Sequence, residues 1–319
     1  MYDGLLLPCW VKSDILCWVY GFARLVCALE WRWLLRVKVE SVGFVSGDGV
    51  GLSGVLYVPD GVPAQAVVVC HGFDRRGFRG ISLFRDMAEA ACRAGFVSLV
   101  FDFRGCGQSG GVFGYGWDEQ KDLTAAIEFL LSKPEARKED GVYVVGHSLG
   151  GAVALYVAER DKRVRGVALW AVPHDHGYNI RRFIIRSRGW LGWYVFLLAS
   201  YLDADVPVAR LSSLRVWGFS LRPRDVRLRL MKLKEAEVLT RLEHLPILIV
   251  NGSGDTLAGL EEARWNFEAA KGPKELVVIE SVNQEPRRME EAIANHVFQG
   301  KEKEAIDRTL LWLRSLAVS

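Results

Sequence analysis

No cysteine follows Cys106 in this 319-residue chain, and the six present (Cys9, Cys17, Cys27, Cys70, Cys92, Cys106) form no CxxC pair and no zinc-ligand spacing. That absence excludes a disulfide-stapled secreted fold and a cysteine zinc site, and makes buried free thiols in a reducing, cytoplasmic setting the expectation. Amides and threonine are scarce as well, at 5 Asn, 5 Gln and 4 Thr, a composition that fits a protein made at high temperature. An excess of one charge is missing: 41 Lys+Arg face 38 Asp+Glu, which argues against nucleic-acid binding through a basic face. Nor is there a clean membrane span. The longest candidate, Ile15 to Leu35, carries Arg24, Glu30 and Arg32, and each charge is costly in hydrocarbon.

What is present is apolar residue, 50% of the chain, enough to bury a full core. Residues 1–36 are apolar and Trp-rich and are expected to form an N-terminal arm outside the main domain of 37–319. No Ala-x-Ala-like site follows them, which speaks against a cleaved secretory signal. Three roles stay open for the arm: a packing or dimer contact, an interfacial helix making peripheral membrane contact, or upstream sequence absent from the mature protein. The oligomeric state is not readable.

Past Val37, β-branched runs alternate with amphipathic stretches. Strands are expected at Val37–Val45, Gly51–Val58, Ala66–Cys70, Val97–Phe103, Val142–Val145, Val164–Val172, Ile247–Asn251 and Glu275–Glu280. Helical patterns fall at Leu83–Ala94, Glu119–Leu131, Gly150–Arg160, Leu260–Ala270 and Lys303–Leu316. The alternation implies an α/β fold with a mostly parallel sheet covered by helices on both faces, edged by an antiparallel hairpin across Ser46–Gly49. From about 173 to 243 no clear strand is visible, and that interval reads as an inserted helical cap.

The most specific chemistry lies in Gly146-His147-Ser148-Leu149-Gly150-Gly151, between the strand VYVV and a helix. A G-x-S-x-G in that context is a nucleophile elbow. Ser148 then needs a base within hydrogen-bond reach and an acid behind the base, in the chain order Ser, acid, His. Of the six His, His296 alone lies beyond the last expected strand. Two carboxylates compete for the acid. Asp255 follows ILIVNGSG and lies just before the last strand, and Asp175 has a similar claim after ALWAVPH. Two backbone N–H donors are needed for the oxyanion, one from Leu149 and one from the His71-Gly72-Phe73 loop, where Phe73 is the choice.

Taken together, HGF, FDFRGCGQSGG, GHSLGG, LIVNGSGD and a late His resemble the α/β-hydrolase superfamily, most closely serine esterases of the feruloyl-esterase and acyl-peptidase-like kind. The resemblance runs from Val37 to the C-terminus. It implies an α/β-hydrolase fold with an eight-stranded sheet, Ser148 as nucleophile, Asp255 as acid, His296 as base, and Phe73 and Leu149 as oxyanion donors; Asp102 to Ser109 matches a structural turn. The chain departs from the family by its arm and by the lengthened stretch Ser281 to Asn295 before His296.

Between Gly177 and Lys234 the interval holds 12 Lys+Arg against 3 Asp, and within it GWLGWYVFLLASYL carries no charge. Trp190, Trp193 and Phe196 are therefore expected to wall an apolar acyl pocket under a basic rim. The implied activity is hydrolysis of small or medium lipophilic esters, small molecules, through an acyl-enzyme. A thioesterase or acyl-peptidase with the same triad is the alternative, because the triad does not fix the leaving group. No metal-ligand cluster or phosphate-binding Gly loop is visible, so neither metal nor cofactor is expected.

Overall fold

The computed structural model describes residues 37–201, 214–216 and 219–317; the arm expected over 1–36 lies outside the described residues. The main sheet takes eight strands in the order β1-β2-β4-β3-β5-β6-β9-β10. They are β1 (Lys38–Val45), β2 (Gly51–Val58), β3 (Ala66–Cys70), β4 (Val97–Phe101), β5 (Val142–His147), β6 (Val164–Trp170), β9 (Ile247–Gly252) and β10 (Lys274–Ile279). β1 and β2 pair antiparallel from Lys38↔Val58 to Val45↔Gly51, β2 also runs antiparallel to β4, and the remaining pairs are parallel.

The central strands are buried from both sides because each face has its own helices. Val68, Leu99 and Val144 point into one core with Leu123, Ile127 and Leu130 of helix α2 (Glu119–Ser132) and Val153 of α3 (Leu149–Ala158). Their neighbours Val67, Val69, Val100 and Val145 point into the other. There they meet Leu83, Phe84 and Met87 of α1 (Leu83–Arg93) and Ile306 and Leu313 of the C-terminal helix (Glu302–Ala317). This alternation is the period-2 consequence of the strand pleat. Each fully buried side chain of this size contributes about 1.5–3 kcal/mol.

The segment Asp102 to Ser109 is structural. Asp102 Oδ1 accepts from the Phe78 N–H at 3.0 Å and Oδ2 from the Gln108 N–H at 3.0 Å, and Arg79 pairs with it. Arg104, 5% exposed, binds Asp122 at 2.7 Å and Asp48 at 2.9 Å. The loop is thereby tied to the β1–β2 turn and to α2. Cys70, Cys92 and Cys106 are buried free thiols.

Between β6 and β9 the chain leaves the sheet. Helix α4 (His176–Tyr201) bends at Gly189, where φ is 68°. A short antiparallel hairpin follows, β7 (Leu214–Val216) with β8 (Phe219–Leu221), then α5 (Pro223–Leu228) and α6 (Glu235–Leu239). The hairpin departs from the purely helical expectation for this interval. Three-residue strands leave almost no periodic trace, and β8 is fixed by tertiary contact: the Phe219 ring stacks on Phe73 at 4.6 Å and meets Phe113 at 4.6 Å. No helix among the described residues is long and apolar enough to cross a membrane.

Candidate active site

The C-terminal ends of β3, β5, β6 and β9 deliver their loops to one edge of the sheet, the place where open α/β sheets bind ligands. At the end of β5 the chain reverses sharply into α3. Ser148 occupies the corner with φ 50° and ψ −119°, and its N–H donates to Trp170 O at 2.8 Å. The flanking glycines are required by space: a Cβ on Gly146 would lie 2.6 Å from Gly150 O, and one on Gly150 would lie 2.4 Å from His71 O. Holding a non-glycine residue in this conformation costs about 1–3 kcal/mol, which the packed surroundings must supply.

Helix α7 (Leu260–Ala269) follows β9, and His296, 3% exposed, is the last residue of helix α8 (Met289–His296). Its Nδ1 donates to Asp255 Oδ2 at 2.8 Å. Asp255 Oδ1 accepts from the Leu257 N–H at 2.8 Å and the Ala258 N–H at 3.1 Å, so the carboxylate is held from both sides. Asn295 ties the helix end to the same loop through Gly254 O at 2.8 Å and Asn283 O at 2.6 Å. With Nδ1 carrying the proton toward Asp255, Nε2 is the acceptor nitrogen of the ring. Of the two competing carboxylates, Asp255 faces His296. Asp175 instead accepts from Lys234 Nζ at 2.5 Å and from the Tyr178 N–H at 2.9 Å at the start of α4.

The other histidines are placed otherwise. His71 Nδ1 donates to Gly72 O at 2.6 Å and Nε2 accepts from the Phe103 N–H at 3.0 Å. His174 lies against Glu262 at 3.3 Å, and His244 is exposed. His176 pairs with Glu235 at 2.5 Å.

Ser148, His296, Leu149 and Phe73 line one cleft. Gly72 permits the close approach of the Phe73 loop, since a Cβ there would fall 3.2 Å from Ser148 Cβ and 2.5 Å from His147 Nδ1. Leu149 begins α3, whose N-terminal N–H groups and dipole favour negative charge at this corner. Ser148 and His296 also border a second cavity with Asp74, Arg76, Gln299 and Glu302. The first is walled mainly by apolar side chains and the second carries more polar ones.

Trp190, Trp193 and Phe196 do not line the cleft with Ser148, which corrects their expected role as its wall. Trp190 is 55% exposed, whereas Trp193 and Phe196 are buried in the core and stack on each other at 5.5 Å. Beyond the kink at Gly189, the helix turns one face to the core and the other to solvent, leaving none of the three toward the serine. The wall comes instead from Ile180, Phe183, Leu221, Val226, Leu230 and Leu257. His176 and Asn179 add polar groups. Among the described residues no three His, Cys, Asp or Glu side chains are grouped to hold a metal ion.

Comparison with known proteins agrees with this architecture. A polyketide transferase of Stachybotrys chlorohalonatus is 27% identical over 269 residues, covering 76% of this chain and 88% of that protein. A thiohydrolase of Arthrinium phaeospermum is 33% identical over 144 residues, but the match spans only 44% of this chain and 45% of the relative. The structure of Est1E from Butyrivibrio proteoclasticus, solved with ferulic acid bound, superposes with a TM-score of 0.65 at 17% identity over 86% of this chain and 99% of that one. The model of the alpha/beta hydrolase family matches residues 67–295, most of the chain, and the protein belongs to that family.

Proposed function

We propose that the protein is a serine hydrolase that cleaves carboxylic esters of small or medium lipophilic substrates through an acyl-enzyme. The observation that carries this reading is the 2.8 Å hydrogen bond from His296 Nδ1 to Asp255 Oδ2 in the cleft that also holds Ser148. Ser148 Oγ attacks the ester carbonyl while His296 Nε2 takes its proton. The Asp255 carboxylate fixes the imidazole tautomer and stabilises the imidazolium that forms. The N–H groups of Leu149 and Phe73 receive the carbonyl oxygen as it becomes negative, a contribution of about 3–4 kcal/mol per donor in comparable sites. His296 then protonates the leaving alcohol, and water enters by the same route to release the acid. The acyl portion lies in the apolar cleft, under the cap formed at about 173–243.

A thioester substrate is the second reading, favoured by the similarity to a thiohydrolase. The same residues carry out acyl transfer from sulfur or oxygen, and peptide cleavage would use them too. The deciding experiment labels the protein with a fluorophosphonate and assays p-nitrophenyl esters from acetate to palmitate beside acyl-CoA and aminoacyl anilides. Label on Ser148, lost in Ser148→Ala, and ester turnover far above the other two classes is the expected result. Label elsewhere, or turnover surviving in Ser148→Ala beyond about 10³- to 10⁴-fold over the uncatalysed rate, overturns it.

A further inference from the structure

The wall of the apolar cleft contains a buried histidine–carboxylate pair that the hydrolytic steps do not use. His176, the first residue of α4, is 6% exposed, and its Nδ1 donates to Glu235 Oε1 of α6 at 2.5 Å. Glu235 is wholly buried, and its second oxygen, Oε2, has no hydrogen-bond partner. As a device for stability this arrangement is poor. Burying two charges costs several kcal/mol per ion, and apolar replacement of both is often neutral or stabilising.

Glu235 does two things to the ring. It occupies Nδ1, which fixes the plane of the imidazole, and it leaves Nε2 as the remaining polar atom on a residue that lines the cleft with Ser148 and His296. Nε2 has no hydrogen-bond partner among the described residues. Around it the cleft is apolar, with Ile180, Phe183, Leu221 and Leu230. Asn179, the other polar neighbour, already commits its amide nitrogen to Leu257 O and Glu262. Burial disfavours the imidazolium, but the charge and hydrogen bond of Glu235, reinforced by Glu262 and Asp175, outweigh it and raise the His176 pKa above its ordinary value. A carboxylate that is wholly buried with Oε2 unpartnered favours a protonated partner, and on a protonated ring Nε2 carries an N–H too, a donor on a residue of a cleft lined mainly by apolar side chains.

We infer that His176 is a specificity-determining residue whose Nε2–H receives a neutral oxygen acceptor, such as a ketone carbonyl, carried along the acyl chain of the substrate. This inference rests on the acyl portion occupying the cleft, as in the hydrolase reading above. A carboxylate fits less well: His176 and Glu235 together are neutral, and a third charge would enter the apolar cleft uncompensated. A plain hydrocarbon chain would leave the donor unsatisfied, which is the asymmetry that lets a polar pocket reject an analogue lacking the partner.

The test compares p-nitrophenyl heptanoate with the 4-, 5- and 6-oxoheptanoates and with a chain of equal length ending in a carboxylate, so that the position of the acceptor is scanned. One oxo-ester should exceed the plain ester in kcat/KM by about tenfold or more. The ratio should fall to about one in His176→Phe and in the double variant His176→Phe/Glu235→Leu, which leaves no lone buried charge. Equal rates for all chains, preference for the carboxylate, or a ratio that survives in the double variant overturns the proposal. Calorimetric binding of methyl 5-oxoheptanoate against methyl heptanoate to Ser148→Ala, with and without the double change, reads the same discrimination without turnover. Absence of ester hydrolysis with retained binding discrimination would sink the hydrolase reading alone; Ser148-dependent hydrolysis without discrimination would sink this one alone.

Discussion

His147 holds the backbone of His296: its Nε2 donates to the His296 carbonyl oxygen at 2.9 Å, and the two rings meet edge to face with centroids 4.8 Å apart. The residue that fills the variable position before the elbow serine thus anchors the end of α8 on which the proposed base is carried. Burial, with the His296 ring beside it, pushes the His147 pKa down to about 3, so the ring stays neutral and keeps its single N–H for this bond. His147→Phe retains the ring packing and deletes the donor. It should lower kcat by about tenfold with little change in KM, since an anchoring bond of about 1–1.5 kcal/mol is lost from the positioning of the base. Steady-state kinetics on a p-nitrophenyl ester check this, and an unchanged kcat would show that Asn295 and the Asp255 bond suffice to place the helix end.

Asp255→Asn separates orientation from charge. The new amide oxygen can still accept from the Leu257 and Ala258 N–H groups, which Asp255 Oδ1 now serves at 2.8 and 3.1 Å, so the loop should keep its shape. The amide nitrogen facing His296 Nδ1 would favour the wrong tautomer. By analogy with triad hydrolases, kcat should drop by about 10⁴-fold with melting temperature nearly unchanged. Asp175→Asn should leave kcat within a few fold, because Asp175 is engaged with Lys234 and the first turn of α4. The reverse ranking would move the acid to the other loop.

Much of this arrangement was legible in the sequence because local chemistry fixes it. Continuous β-branched runs between helical patterns gave the parallel sheet, and the three glycines of GHSLGG are demanded by space, since a Cβ on any of them would come within 2.3–2.6 Å of a neighbouring atom. Chain order left Asp175 and Asp255 both eligible, and the place of Asp255 just before the last strand pointed to the pairing with His296 that the structure shows at 2.8 Å. The cleft wall could not be read this way. GWLGWYVFLLASYL is the most apolar stretch of the interval, yet its aromatic residues fall on the core and solvent faces of a bent helix, while Ile180 and Phe183, roughly two turns before Gly189, line the cleft with Ser148. Which face a helix presents depends on where it bends and what it packs against, and Gly189 alone did not reveal that. His176 and Glu235 are 59 residues apart, so their pairing carried no local mark.

Acid should weaken the fold through His71. Burial lowers its pKa to about 4, and the geometry agrees: Nδ1 donates to Gly72 O while Nε2 must accept from the Phe103 N–H. A proton on Nε2 would set two donors against each other. Because the folded pKa lies below the ordinary 6.5, the unfolded chain takes up the proton first, and stability present above that value is lost as pH falls from about 6.5 toward 4. His147 adds to the same slope, whereas Glu119, whose pKa burial raises to about 7, loses its own contribution as pH rises toward 7. In His71→Gln the acceptor is retained without the titration. The difference in melting temperature between pH 7 and pH 5 should therefore be smaller in the variant than in the wild type; an equal difference would assign the acid sensitivity to other groups.

The apolar wall should set a chain-length preference. Ile180, Phe183 and Leu230 border the cleft with Ser148, and each methylene that an acyl chain buries there is worth about 0.8 kcal/mol. Four added methylenes would gain about 3 kcal/mol before the cost of ordering the chain reduces it. Specificity, as kcat/KM, should then climb from acetate to medium-chain esters in the wild type. Cutting Phe183 and Leu230 together to Ala should flatten that climb by opening the wall, with the largest loss for the chains long enough to have touched it. Trp190→Ala is the matched control. Its ring is 55% exposed and stands away from the cleft with the Arg181 guanidinium 5.6 Å from its centre, so the profile should keep its slope. A profile that follows Trp190 rather than Phe183 and Leu230 would put the acyl chain on the far side of α4, outside the cleft that holds Ser148 and His296.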